Sequence, residues 1–185
     1  GDYNLWLKQH SASSYVLKRQ RQHKFSYSPK ISVVIPLYNT PLKYLKEILE
    51  SLLNQSYGNL EVCLADGSSE DNVEKFIKRR YGRNPKIRYQ RLKKNLGISE
   101  NTNAAIEMAS GEYIMLSDHD DVVTRDALFE IVKAINKNRD ADIVYTDEDK
   151  VTMDGKDYFE PSFKPDYNLD FLRSSNYICH IFVVK

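Results

Sequence analysis

The stretch ISVVIPLYN, residues 31–39, decides the fold class of this 185-residue chain. Its first five residues are mostly β-branched and carry no charge, which is typical of a strand buried on both faces of a sheet. Polar character returns at Tyr38 and Asn39, directly after the apolar run. The stretch therefore predicts a central strand that ends at a polar edge.

Outward from this strand, short apolar runs alternate with segments whose apolar residues recur every three or four positions. The first helical segment follows Thr40, which we expect to be its N-cap, with Pro41 at the first helical position. Four such segments connect five strands, the pattern of an α/β protein with helices flanking a mostly parallel, Rossmann-like sheet. The predicted strands are Ile31–Leu37, Leu60–Ala65, Ile87–Leu92, Glu112–Leu116 and Ile143–Thr146.

The two ends of the chain depart from this alternation. We interpret residues 1–30 as a helical lead-in to a domain formed by residues 31–185. After the fifth strand, a short hairpin around Asp154-Gly155 and a strand at Ile181–Val184 predict an antiparallel addition near the C-terminus. Because the chain stops one residue after that strand, we expect the domain to continue beyond Lys185.

Charge and composition exclude several classes of protein. The 27 Lys and Arg residues balance the 26 Asp and Glu residues, so the overall charge does not favour nucleic acid as a partner. No apolar stretch reaches the roughly 20 residues that span a bilayer. Cys63 and Cys179 lie in apolar, strand-like surroundings, which favours reduced core thiols and a cytoplasmic location.

A basic cluster in the lead-in admits two interpretations. It comprises Lys18, Arg19, Arg21 and Lys24. A solvated helix face is the favoured interpretation. Contact with an anionic membrane surface is the alternative, and it would place the chain at the inner face of the membrane.

Polar residues gather where the predicted strands end. In a parallel sheet the ligand crevice lies beyond the carboxyl ends of the strands, so these residues are the candidates for binding. In strand order they are Pro36, Leu37, Tyr38 and Asn39; Asp66-Gly67-Ser68-Ser69; Asn95 and Gly97; Asp118-His119-Asp120-Asp121; and Asp147-Glu148-Asp149.

Asp118 and Asp120 are the first candidates for metal ligands. They are two residues apart in an extended segment, so their carboxylates point to the same side of the backbone. Mg²⁺ and Mn²⁺ accept such carboxylates together with phosphate oxygens and water. Alone, the pattern fits a helix cap equally well, but a strongly apolar strand precedes it and another strand-end carboxylate, Asp66, accompanies it. Asp147 and Asp149 repeat the spacing and rank second.

The other candidates have a binding and a structural interpretation. Asp66 would accept hydrogen bonds from a base or ribose, and the Tyr38 ring would lie against a nucleobase unless it is an ordinary half-buried aromatic. Ser68 and Ser69 fit capping of the next helix better than ligand contact. Gly97 indicates close backbone approach or an unusual dihedral angle. His119 would be a donor to the ligand or a packing residue.

Together these segments resemble family 2 glycosyltransferases of the GT-A fold. The residues that carry the resemblance are VVIPLYN at 33–39, DGSS at 66–69 and DHDD at 118–121. The resemblance covers the chain from about Ile31 to its end. Three further segments are similar to a bacterial branch that makes polysaccharides or other cell-surface glycans: NLGIS at 95–99, YTDEDK at 145–150 and FKPD at 163–166.

The resemblance implies transfer of a sugar, with inversion, from a nucleoside-diphosphate sugar to a glycan or lipid-linked acceptor. UDP- or dTDP-sugars are the implied donors, and Mn²⁺ or Mg²⁺ is the implied cofactor. The implied contacts are from Pro36, Tyr38 and Asp66 to the nucleoside, from Asp118 to ribose or metal, and from Asp120 to the metal. The family's usual catalytic base belongs to the acceptor-binding half, which we expect after the strand that ends at Val184, so no base is assigned.

Two other functions stay open. A nucleotidyltransferase would also bind a nucleotide and a metal, but its usual glycine-rich first loop is absent from residues 36–41. The glycine motifs of dinucleotide and P-loop enzymes are absent too. A nucleotide-sugar-binding module, or a fragment without catalysis, is the more serious rival because no base is assigned.

Overall fold

Seven strands and five helices lie in the part of the chain that the structure describes. The computed structural model describes residues 12–118 and 123–140, and the backbone of residues 143–147, 150–152 and 181–184. The helices are α1 (Ser14–Gln22), α2 (Leu42–Leu53), α3 (Asn72–Tyr81), α4 (Ile98–Glu107) and α5 (Ala127–Lys137). The strands are β1 (Ile31–Leu37), β2 (Leu60–Asp66), β3 (Ile87–Arg91), β4 (Tyr113–Leu116), β5 (Ile143–Asp147), β6 (Lys150–Thr152) and β7 (Ile181–Val184).

One sheet contains all of these strands, in the order β3-β2-β1-β4-β7-β5-β6. The first four are mutually parallel, whereas β7 is antiparallel to β4 and β5, and β6 is antiparallel to β5. The predicted α/β class, with an antiparallel addition near the C-terminus, is confirmed. Because β7 is inserted between β4 and β5, β5 still runs in the direction of β4, and their carboxyl ends lie at the same edge.

Strand β1 is buried on both faces, as its sequence predicts. On one face Ile31, Val33 and Ile35 belong to a large apolar cluster with residues of α2, α3 and α5. On the other face Val34 packs with Cys63 and with residues of α4. Helices therefore cover both faces of the parallel strands, which leaves the strand ends as the polar part of this layer.

The lead-in contains the predicted helix and packs against the domain that contains the sheet. Leu17 of α1 is buried, and Gln20 accepts a hydrogen bond from Ser56 Oγ at 2.6 Å. The Asn136 side chain on α5 accepts from Tyr27 N at 3.1 Å and donates to Tyr27 O at 2.8 Å. The segment that leads into β1 is thus fixed along α5.

The start of α2 differs from the prediction. Pro41 is the N-cap: its ψ of 128° is not helical, and its carbonyl accepts from Leu45 N at 3.1 Å. Thr40 is buried, and its hydroxyl has no hydrogen-bond partner within the described ranges. The predicted N-cap was therefore wrong by one residue, because burial withdraws the Thr40 hydroxyl from the helix terminus.

The buried cysteine agrees with the prediction of a core thiol. Cys63 is free and buried, and burial raises the pKa of its thiol to about 12. Cys179 lies outside the described residues, as does the turn predicted at Asp154-Gly155. None of the described helices is long and apolar enough to cross a membrane.

A buried carboxylate fastens the amino ends of the strands. Glu61, whose side chain is 4% exposed, lies 3.2 Å from Lys30 Nζ and 3.7 Å from Arg88. It also accepts from Ser32 Oγ at 2.7 Å and from Ser110 N at 2.6 Å. Burial alone would raise the pKa of Glu61, but the hydrogen bonds from Ser110, Ser32 and Lys30 outweigh it and lower the pKa to about 2.

Acidification is expected to remove the contribution of Glu61 to stability. Its folded pKa lies below the ordinary value of 4.5, so the stabilisation is complete above pH 4.5 and is lost as the pH falls through about 2. The shift corresponds to about 3 kcal/mol. Urea unfolding between pH 7 and pH 2 measures this contribution. At pH 7 we expect a lower free energy of unfolding for Glu61→Gln than for the unmutated chain. Between pH 7 and pH 2 the free energy of unfolding should fall less in Glu61→Gln than in the unmutated chain.

A carboxylate on the surface is the control for this prediction. Glu130 lies on α5 with its side chain 36% exposed, so the stability of Glu130→Gln should follow that of the unmutated chain at every pH. Parallel pH dependences for Glu61→Gln and the unmutated chain would contradict the role given to Glu61.

Candidate functional site

The hydrogen-bond ladder between β1 and β4 is interrupted at the carboxyl edge. Their pairing ends at Val34 and Leu116, with one further bond from Ser117 N to Val34 O at 3.2 Å. The next residue of β1 whose backbone groups face β4 is Pro36, and proline has no backbone N–H to donate to the ladder. The strand order also reverses here, because β2 and β3 lie on one side of β1 and β4 lies on the other. Open α/β sheets bind their ligands at such a switch point.

Asp66 is a fully buried carboxylate at this edge. It is the last residue of β2 and is 0% exposed. Its Oδ1 accepts from Ser68 N at 2.9 Å and from the Ser68 hydroxyl. Its Oδ2 accepts from the Tyr89 hydroxyl at 2.6 Å. Each oxygen has a donor from the protein, so the carboxylate is held in one orientation and keeps acceptor capacity for a further donor.

Ser68 and Asn39 join the ends of β1 and β2. The Ser68 hydroxyl accepts from Asn39 N at 2.8 Å, while Asn39 Oδ1 accepts from Ser69 N and Ser69 Oγ, each at 3.1 Å. Asn39 has φ 48°, in the left-handed region that asparagine tolerates better than most residues. The expectation that the serines cap the next helix was wrong: the N-cap of α3 is Asp71, and both serines bind the strand ends instead.

The loop between β3 and α4 is fixed against the turn after β2. Asn101, buried in α4, donates to Asn95 Oδ1 at 2.9 Å and accepts from Leu96 N at 3.2 Å. Asn95 Oδ1 also accepts from Gly97 N at 3.0 Å, and Gly97 has φ 90°, which explains the glycine. A Cβ on Gly67 would lie 2.8 Å from Asn101 Nδ2 and 3.1 Å from Asn95 Cα, so Gly67 allows this close approach.

The candidates at the end of β1 differ in exposure. Tyr38 is 50% exposed, so its ring is accessible to a planar ligand. Leu37 is fully buried in the core, and its carbonyl accepts from Gly67 N at 2.9 Å. Pro36 is half-buried beside the interrupted ladder. Tyr38 is therefore the side chain at the end of β1 that a base could contact.

Asp118 follows β4 on the other side of β1. Its side chain is exposed, and it comes directly after Ser117, which still bonds to β1. Since β1 lies between β2 and β4, Asp66 and Asp118 are separated by two strand spacings, about 10 Å. His119 and Asp120 lie outside the described residues. Among the residues that are described, no group of three His, Cys, Asp or Glu side chains could hold a metal ion.

The second acidic segment lies at the same edge. Leu116, Phe182 and Tyr145 are level across β4, β7 and β5, so the backbone of Asp147 is two residues beyond that level. Asp147 pairs with Lys150 of β6, and Asp149 lies outside the described residues. Topology thus brings the backbones of Asp66, Asp118 and Asp147 to one edge of the sheet.

Sequence reasoning missed two residues of this edge, Tyr89 and Asn101. Burial, and then the hydrogen bond to Asp66, raises the pKa of Tyr89, so its phenol stays protonated and donates. Side chains alternate along β3, so Tyr89 lies on the same face as Arg91, which is the register partner of Asp66. This alternation is the sequence pattern that could have placed Tyr89 near Asp66. The signal for Asn101 was a polar residue on the buried stripe of a helix.

The chain is similar to several known proteins. The model of the family described as "Glycosyl transferase family 2" matches residues 32–184. An uncharacterized protein, y4gI, of Sinorhizobium fredii is 41% identical over 177 residues, which is 95% of this chain and 19% of that protein. Chondroitin synthase of Pasteurella multocida is 38% identical over 127 residues, 69% of this chain and 13% of that enzyme.

The fold of this chain is similar to that of a solved structure. Residues 1–349 of S. aureus TarS are 28% identical to this chain with a TM-score of 0.55, over 62% of this chain and 34% of that one. Crystal structures of TarS in complex with UDP and with UDP-GlcNAc are known.

The chain belongs to glycosyl transferase family 2, and its fold is the GT-A fold. It spans 19% and 13% of the lengths of the two curated relatives above.

Proposed function

We propose that the carboxyl edge of the parallel strands binds the nucleoside-diphosphate sugar of a glycosyltransferase. The observation that carries the proposal is the buried Asp66 carboxylate, oriented by Ser68 and Tyr89, beside the switch point between β1 and β4. Three donors, Ser68 N, the Ser68 hydroxyl and the Tyr89 hydroxyl, offset part of the cost of burying this charge, and a buried, oriented carboxylate in the ligand crevice of an α/β sheet is a candidate for ligand binding.

The proposed roles follow the order of the strands. The exposed Tyr38 ring lies against the base, and Asp66 accepts from the nucleoside with Pro36 beside it. Asp118, about 10 Å farther along the edge, contacts the ribose or the metal, and Asp120 binds the metal. His119, Asn39, Asn95 and Gly97 shape the rest of the donor site. Asp147 and Asp149 stay the second-ranked acidic site.

The proposed chemistry is transfer with inversion. Asp118 and Asp120 would hold a divalent ion, Mn²⁺ or Mg²⁺, which would supply positive charge to the nucleoside-diphosphate leaving group, and a carboxylate base would take the proton of the acceptor hydroxyl. The proposed donor is a UDP- or dTDP-sugar, which the complexes of TarS with UDP and UDP-GlcNAc support. The proposed acceptor is a glycan or a lipid-linked glycan, which the likeness to chondroitin synthase supports.

A thermal-shift panel tests the proposal. Nucleoside-diphosphate sugars with different bases are added with Mn²⁺, and a ligand that binds only the folded chain raises its melting temperature. We expect shifts for uridine or deoxythymidine donors that are much smaller when EDTA replaces Mn²⁺. A panel in which no nucleotide sugar shifts the melting temperature would contradict the proposal.

The rival function is a binding module without catalysis. Both functions bind the donor, so they differ only in transfer. We expect weak or no transfer by these 185 residues, because no catalytic base is assigned among them. Robust turnover of a UDP-sugar by this chain would contradict this expectation and exclude the binding module.

The basic cluster on α1 keeps its two interpretations. Lys18, Arg19 and Arg21 are exposed around the buried Leu17. We propose a solvated face and a cytoplasmic chain, with contact to the inner face of the membrane as the alternative. Cosedimentation with vesicles that contain anionic lipid distinguishes them: the solvated face predicts no pelleting at physiological salt.

A further inference from the structure

The Tyr89 hydroxyl reaches Asp66 from the neighbouring strand. Leu64 is the register partner of Tyr89, and Arg91 is the register partner of Asp66, so Tyr89 contacts the carboxylate along the diagonal of the sheet. The distance from Tyr89 Oη to Asp66 Oδ2 is 2.6 Å. Diagonal neighbours are within reach of an aromatic side chain, and tyrosine is long enough to place its hydroxyl there.

Arg91, the register partner of Asp66, binds other groups. The Arg91 guanidinium lies 2.8 Å from Glu74 Oε2 and 3.4 Å from Ser69 O. Among the described residues, the Tyr89 hydroxyl is the donor that binds Asp66 Oδ2. Rotation of a carboxylate about its last torsion is soft, so loss of this donor leaves the Asp66 carboxylate held only through Oδ1 by Ser68 and allows Oδ2 to move.

Every group that binds the Asp66 oxygens in the described part of the chain is a donor. Ser68 N and the Ser68 hydroxyl bind Oδ1, and the Tyr89 phenol binds Oδ2. A carboxylate surrounded by donors presents only acceptor lone pairs to a ligand. A base with a ring N–H at the contacting position, such as uracil, complements it. Cytosine has a lone pair at that position and is repelled.

We propose that Tyr89 is a positioning residue that holds the Asp66 carboxylate as an oriented acceptor and thereby sets the preference for a base with a ring N–H. This inference rests on the proposed contact between Asp66 and the nucleoside. Tyr89 itself touches the carboxylate and acts through it. Loss of the Tyr89 hydroxyl should therefore lower the ratio of the UDP affinity to the CDP affinity while the protein stays folded.

The experiment compares Tyr89→Phe with Tyr57→Phe. The Tyr57 hydroxyl donates to Pro29 O near the amino end of β2, so both variants lose one hydrogen bond of a hydroxyl, but only Tyr89→Phe touches Asp66. Calorimetry in the presence of Mn²⁺ measures the dissociation constants of UDP and CDP for each variant, and thermal unfolding reports stability.

We expect the preference for UDP over CDP to fall by about fivefold in Tyr89→Phe and to stay unchanged in Tyr57→Phe. An unchanged preference in Tyr89→Phe, or equal affinities for UDP and CDP in the unmutated chain, would overturn the inference. Asp66→Asn separates this from the proposed function. If that variant keeps full affinity for UDP, the donor site at Asp66 is wrong; if it loses affinity while Tyr89→Phe keeps both affinity and preference, only the role of Tyr89 is wrong.

Discussion

Replacing Asp118 and Asp120 together with alanine is expected to abolish the metal-dependent part of nucleotide binding. Both carboxylates are hard oxygen ligands, and without them a divalent ion keeps only phosphate oxygens and water. We expect the affinity for UDP in the presence of Mn²⁺ to fall by about a hundredfold, to the level that the unmutated chain has in EDTA. Calorimetric titration with UDP, with and without Mn²⁺, measures both quantities.

A double variant of equal charge is the control. Glu107 is exposed at the last residue of α4, and Asp140 is exposed after α5, so both lie toward the amino ends of the strands. The variant Glu107→Ala/Asp140→Ala removes two carboxylates away from the switch point and should bind UDP like the unmutated chain. Equal losses in the two double variants would mean that net charge, and not metal coordination, governs the affinity.

Replacing Asp66 with alanine is expected to have the largest combined effect on stability and binding. The change leaves Ser68 N, the Ser68 hydroxyl and the Tyr89 hydroxyl without their acceptor in a buried place. We expect the free energy of unfolding to fall by about 3 kcal/mol, since buried donors without partners carry their full desolvation cost. Urea unfolding measures this loss, and calorimetry with UDP measures the loss of affinity, which should exceed tenfold by estimate.

Glu61→Gln separates the two effects of the Asp66 substitution. Glu61 is also a buried carboxylate of β2, but it lies at the amino end, away from the proposed site. Its replacement should lower stability while the affinity for UDP stays unchanged at temperatures where the chain is folded. Parallel losses of UDP affinity in Asp66→Ala and Glu61→Gln would mean that binding only follows stability.

The features that sequence alone predicts here are those written in local pattern. The run at 31–37 is long, apolar and β-branched, and it forms a strand buried on both faces. The place of Asp66 and Asp118 at one edge follows from the parallel order of the strands, because each follows its own apolar run. These predictions needed no knowledge of contacts between distant residues.

The features that sequence reasoning missed depend on such contacts. Serine is a residue type that often caps helices, but the Ser68 hydroxyl instead accepts from Asn39 N after β1 and donates to Asp66 at the end of β2. Tyr89 lies within a predicted strand, but its partner Asp66 is 23 positions away in the chain, so the strand pattern does not predict their contact. The insertion of β7 between β4 and β5 likewise depends on the antiparallel return of the chain, which periodicity does not encode.

The carboxyl edge of the parallel strands is proposed to bind a nucleoside diphosphate with the help of a divalent metal. Calorimetric titration of the unmutated chain with UDP and dTDP, in Mn²⁺ and then in EDTA, tests it most directly. We expect saturable binding to a single site in Mn²⁺ for at least one of the two nucleotides, and an affinity about a hundredfold weaker in EDTA. Absence of binding to either nucleotide, or equal affinity with and without the metal, would contradict it.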